Sequence, residues 1–82
     1  MEDVLKQVRA AFTQAFQCDP ALVIREAGPE QIPGWDSLGH AELVGALESE
    51  FALSFDVDEI MDMENVAAIV RIVSEKQGAT TG

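Results

Sequence analysis

The stretch GWDSLGHAELVGALESEF, residues 34–51 of an 82-residue chain, decides the fold. It holds the only tryptophan, Trp35, and the only histidine, His40. Beyond Asp36 and Ser37, the apolar residues Leu43, Leu47 and Phe51 recur at intervals of four, with Val44 and Ala46 beside them. That period is helical. Asp36 or Ser37 is a suitable N-cap, because either side-chain oxygen accepts from the orphan N–H groups of a first turn. Glu42, Glu48 and Glu50 fall away from the apolar stripe. Gly39 and Gly45 lie inside the same helix, where each costs about 1 kcal/mol against alanine if exposed. Tolerance by tertiary packing is the simpler reading of both; close approach by a partner is the other.

Upstream, Val4, Val8, Phe12 and Phe16 also fall four apart, with Leu5, Ala11 and Ala15 alongside. They predict an amphipathic helix over residues 2–17. Glu2 and Asp3 sit in its first turn, where acids favour the dipole, and Pro20 ends it. Residues 19–36 carry no sustained period and are punctuated by Gly28, Pro29, Pro33 and Gly34. A connection this long in a compact domain is often functional. Leu22, Val23, Ile24, Ile32 and Trp35 are expected to pin it to the helices, with a short turn over 21–24. Downstream, Leu53, Phe55, Val57 and Ile60 are expected to point inward, and DVDEIM to form a helical turn. Val66, Ile69, Val70 and Val73 mark a last helix over 65–75, capped by Asn65 or Asp62. The expected fold is all-α: a small bundle of three main helices plus one short helix, with a long first loop. Residues 1–76 form the domain and 77–82 a flexible polar tail.

The net charge is −10, and no Lys or Arg occurs between positions 26 and 70. Nucleic acid is excluded as a partner, since phosphate binding needs clustered cations. Basic protein surfaces are the natural partners of such a field. The single cysteine, Cys18, permits no internal disulfide, which fits a reducing compartment. No signal pattern opens the chain and no apolar run approaches membrane-spanning length. A cytoplasmic monomer without membrane contact is expected. A chain this short has no room for a core and a deep catalytic pocket together.

Ser37 admits three roles: cap, nucleophile or attachment point. A nucleophile elbow is G-x-S-x-G, whereas Trp35 stands two residues before Ser37. His40, the only histidine to serve as base, has nothing obvious in sequence to orient it. An EF-hand loop counted from Asp56 would need glycine at Met61 and glutamate at Ala67. One histidine and one cysteine make no transition-metal site. Catalytic and metal assignments are therefore none. As an attachment point Ser37 is well placed, because a phosphate ester there would sit at a helix N-terminus.

These residues resemble the attachment region of acyl carrier proteins: Asp-Ser-Leu opening an acidic helix that carries Glu-Leu and ends in acids and Phe. The likeness runs through the first helix, the long loop, the short turn and the last helix. It implies a freestanding carrier, not an enzyme, with covalent 4′-phosphopantetheine on Ser37. A phosphopantetheinyl transferase would install the arm from coenzyme A, with magnesium in the transferase. The arm's thiol would hold acyl groups as thioesters and deliver them to acyl-loading and acyl-processing enzymes. By the same resemblance Asp36, Leu38, Glu42, Glu48, Asp58, Glu59 and Ile60 form the recognition face for basic docking surfaces, with Glu50 a further candidate. Housekeeping fatty-acid carriers usually place an acid and a bulky apolar residue where Gly39 and Gly45 stand, and valine at Ala41. WDSLGH is closer to carriers of specialised pathways, of polyketide type or loading a small acid. A peptidyl or aminoacyl carrier and an unmodified acidic interaction module are the alternatives.

Overall fold

A computed structural model describes residues 2–81, with side chains placed over 4–77. Its elements are α1 (Glu2–Phe16), a 3-10 turn (Pro20–Leu22), α2 (Ser37–Phe51), α3 (Val57–Met61) and α4 (Val66–Thr81). There is no strand among the described residues. The architecture is the expected bundle of three main helices and a minor one.

The stripes meet at the centre. Val8 and Phe12 of α1, Leu43 and Leu47 of α2, and Val66, Ile69 and Val73 of α4 have no exposed surface. Burial of one such side chain is worth roughly 1.5–3 kcal/mol. Phe16, Ala46 and Phe51 pack around this centre only half-buried. Ala27, Met63 and Ile72 are also in the core, although their sequence positions do not mark them.

Two helices end in the left-handed region without glycine. Gln17 (φ 54°) closes α1 and Ala52 (φ 53°) closes α2. Gln17 N–H still donates to the Thr13 carbonyl at 2.7 Å, but its left-handed φ takes the chain out of the helix, so α1 stops one residue before the expected end. α4 corrects the opposite boundary. It continues to Thr81, past the expected end at residue 75. A single Gly78 weakens a helix by about 1 kcal/mol and does not terminate it.

The long loop is fastened at several points. Val23, Ile32 and Trp35 are buried as expected. Leu22 and Ile24, expected inward, are 39 % and 48 % exposed. The side chain of Asp19 caps the 3-10 turn through Ala21 N–H at 2.9 Å, which turns Leu22 outward. Arg9 of α1 donates from Nε and Nη2 to the Val23 carbonyl at 3.2 and 3.1 Å. The loop also receives the start of α4. Val66 N–H donates to the Ala27 carbonyl and Ala67 N–H to the Arg25 carbonyl, both at 3.0 Å. Asn65 Oδ1 accepts from Ala68 N–H at 2.8 Å and its carbonyl from Ile69 N–H at 3.2 Å. Val66, Ala67 and Ala68, three of the N–H groups that a helix start leaves without an intrahelical partner, are thus paired, and Ile69 makes the first bond within the helix.

Candidate attachment site at the start of α2

Asp36, in extended conformation, is the N-cap of α2, and its Oδ1 accepts from Gly39 N–H at 2.8 Å. Ser37 is therefore the first helical residue, exposed, with a hydroxyl that takes no part in the cap. The cap settles the first question about Ser37: its neighbour does that work.

Gly39 explains why the motif turns so tightly. A Cβ there would overlap the carbonyl oxygen of Gly34 and lie 2.9 Å from the Phe16 ring. Gly34 itself has φ 93° and packs on Phe16. The Gly34–Gly39 pair lets the loop fold down onto α2 and α1. Gly39 is thus an internal packing requirement. Around Gly45 there is open space.

Trp35 anchors the same turn from inside. Its ring meets Phe12 edge-on at 4.9 Å and lies nearly parallel to His40 at 6.1 Å. Its Nε1–H donates to His40 Nδ1 at 2.8 Å, and His40 Nε2 lies 2.9 Å from the Ile60 carbonyl. Indole is only a donor and a carbonyl only an acceptor, so Nδ1 accepts and Nε2 donates in this arrangement. Both ring nitrogens are engaged. None is left to take a proton from Ser37, which removes the Ser–His hydrolase reading.

Beside Ser37 lies an open cleft of about 460 Å³, lined by Pro29, Trp35, Asp36, His40, Ile60, Met61 and Met63. Its walls come from the loop, α2 and α3. Pro29, Met61 and Met63 carry no motif that would have marked them in advance.

The proposed recognition residues divide in two. Asp36, Leu38, Glu42 and Asp58 are exposed, Leu38 by 82 %. Glu48, Glu59 and Ile60 hold the fold. Glu48 Oε2 accepts from Phe55 N–H at 3.0 Å. Glu59 Oε1 accepts from Asp56 N–H at 2.8 Å and pairs with Lys76 Nζ at 3.0 Å. The Asp56 N–H first, then Lys76, keep the Glu59 carboxyl below its ordinary range. Lys76 also lies over the Phe55 ring at 5.7 Å. Ile60 packs against the core. Val57 corrects an expectation in the other direction. As the first residue of α3 it is 70 % exposed rather than inward, and Met61, one turn on, is 73 % exposed.

Among the described residues, no group of three or more His, Cys, Asp or Glu is placed to hold a metal ion, and no helix is long and apolar enough to cross a membrane.

The chain matches the family described as a phosphopantetheine attachment site over residues 34–73. It is 34 % identical to the acyl carrier protein of Phenylobacterium zucineum, over 96 % of this chain and all of that one. It is 33 % identical to the acyl carrier protein of Caulobacter vibrioides, over 93 % of this chain and 97 % of that one. A non-reducing polyketide synthase of Emericella nidulans is 31 % identical over 95 % of this chain, which spans 3 % of that protein. The solution structure of holo acyl carrier protein from Geobacter metallireducens superposes with a TM-score of 0.84 at 28 % identity, covering 95 % of this chain and 90 % of that one. Fold and likeness define a small helical carrier domain. The chain belongs to the acyl carrier protein family, whose members are carriers rather than enzymes and bear a covalent phosphopantetheine group.

Proposed function

We propose that Ser37 is the residue that bears 4′-phosphopantetheine and that the chain shuttles acyl groups between enzymes of a specialised pathway, of polyketide type or handling a small acid. The observation that carries the assignment is the division of labour at the helix start: Asp36 caps, leaving the Ser37 hydroxyl exposed and uncommitted. A phosphate ester there would gain from the helix dipole and from first-turn N–H groups that the cap does not serve. When bound, the group supplies a thiol that holds the acyl cargo as a thioester.

Asp36, Leu38, Glu42 and Asp58, with Val57 and Met61, form the face offered to partners: a phosphopantetheinyl transferase and acyl-loading and acyl-processing enzymes with basic surfaces. Exposed ion pairs are individually weak, roughly 0–1 kcal/mol each, which suits brief, salt-sensitive docking. Apolar contacts at Leu38, Val57 and Met61 give such docking a water-excluding centre. The pathway reading is supported by the small Ala41 and by open Gly45, which leave α2 without bulk on that side. Gly39 lends it nothing, since packing accounts for that residue. The carrier acts as a cytoplasmic monomer, a reading favoured by its single cysteine and strong net charge.

Intact mass tests the assignment. The protein made without a transferase is incubated with coenzyme A, magnesium and a broad-specificity phosphopantetheinyl transferase, beside Ser37→Ala. One phosphopantetheine unit gained by the native chain and none by the variant is the expected result. No gain with several transferases would sink the proposal.

A further inference from the structure

Ser37, His40, Leu43 and Leu47 follow one another down one side of α2, at the spacing that stacks side chains on one face. Ser37 and His40 line the cleft, whereas Leu43 and Leu47 are fully buried. His40 therefore stands between the serine and the core, about 4.5 Å along the axis from Ser37. Its Nε2–H reaches the Ile60 carbonyl of α3 at 2.9 Å, and its Nδ1 takes the Trp35 N–H at 2.8 Å. The imidazole so bridges the loop, α2 and α3 on the wall of the open cleft beside Ser37. Behind it Ile60 packs on the core and Met63 is buried. Lys76 holds α3 from the side of α4 through Glu59.

We infer that the Trp35–His40–Ile60 bridge determines the cargo: it keeps the acyl group in the open cleft, so the carrier takes short or polar acyl groups in preference to long saturated chains. The inference rests on Ser37 bearing the arm. A long chain moving between α2 and α3 must part both hydrogen bonds and leave an indole N–H and a carbonyl unpaired in an apolar wall. A short one stays in the cleft and never meets that cost. A polar acyl group there also keeps its hydration.

The test uses the full chain, nitrogen-15 labelled and loaded in turn with hydrolysis-resistant acetyl, butyryl, octanoyl and dodecanoyl pantetheine analogues. Intact mass checks each loading, and amide spectra report where each acyl group lies. In the native chain the shifts should stay at Trp35, His40, Met61 and Met63 at every length, with Leu43, Leu47, Val66 and Ile69 unmoved. His40→Asn keeps an acceptor for Trp35 but is too short to reach Ile60. His40→Gln sets an amide N–H where Nε2 stands. Octanoyl should move the core amides in the Asn variant, and the Gln variant should restore the native pattern. Trp35→Phe breaks the bridge from its other end and carries the same expectation should the Asn variant fold poorly. Core amides that move with octanoyl in the native chain as far as in the variants overturn the inference. Core amides that stay still in both broken-bridge variants overturn it too. A chain that accepts no analogue fails at the mass step, which marks the attachment assignment itself as the fault.

Discussion

Gly39 lies so close under the carbonyl of Gly34 that a methyl group on it would overlap that oxygen. The obstacle is backbone, and Phe16 presses from the other side. Gly39→Ala should therefore destabilise the fold by about 1–3 kcal/mol, the usual cost of overpacking. Thermal unfolding followed by circular dichroism measures it, and a melting temperature at or above the native one would contradict the packing described.

Gly45→Ala should act in the opposite direction. Beyond its own stretch of helix backbone nothing lies within 4 Å of the added methyl, and the residue sits in mid-helix. A gain of up to about 1 kcal/mol follows from helix propensity. Denaturant unfolding of both glycine variants side by side gives the comparison.

Asp36 combines a cap with a charge, and two variants separate them. Asp36→Ala loses the hydrogen bond to Gly39 and should cost about 1 kcal/mol. Asp36→Asn keeps a capping oxygen and should stay within about 0.5 kcal/mol of native, because the two residues cap about equally well. If the charge serves docking, the Asn variant should still be modified more slowly by a transferase with a basic surface. Equal modification rates would make Asp36 a cap alone.

Acid should weaken the ties that Glu59 gives α3. The Asp56 N–H and then Lys76 hold the Glu59 carboxyl below its ordinary value of 4.5. A group lowered in the folded state stabilises the fold above its unfolded value, and that contribution disappears as pH falls through the folded value. Stability should therefore drop below about pH 4.5 in part through this residue, and Glu59→Gln should flatten that part of the acid limb. A carboxyl carbon titration of Glu59, with the Asp56 amide as reporter, checks the direction.

Cys18 should be a sluggish thiol. Burial pushes its pKa up, a backbone hydrogen bond opposes this, and the neighbouring charge of Asp19 adds to the rise. Only the thiolate is nucleophilic. Alkylation near pH 8 should be slower in the folded chain than in the same chain in urea. Faster reaction in the folded chain would place Cys18 in a different environment.

The three long helices were legible because each carries an apolar stripe at helical period: Val8 and Phe12, Leu43 and Leu47, Val66, Ile69 and Val73. The place of Ser37 at a helix start was legible from the capping residue beside it and the helical period after it. What stayed hidden depended on backbone atoms, which leave no trace in residue type. The partner of His40 is a carbonyl 20 residues away, and that of Glu48 is an N–H seven residues away. Val57 reads as inward from its neighbours, but it opens α3 and faces outward. The cleft gathers Pro29, His40 and Met61 from three segments, a meeting that no local pattern encodes.

The pairing of Val66 and Ala67 with the carbonyls of Ala27 and Arg25 changes what the long loop is. It completes the last helix in the way that a capping side chain would, but with main-chain atoms from far along the sequence. Loop and helix start then gain and lose order together. Hydrogen exchange at the Val66 and Ala67 amides will report the opening of the loop rather than the fraying of a helix. A protease cut near Arg25 will be felt at α4 before it is felt at Ser37.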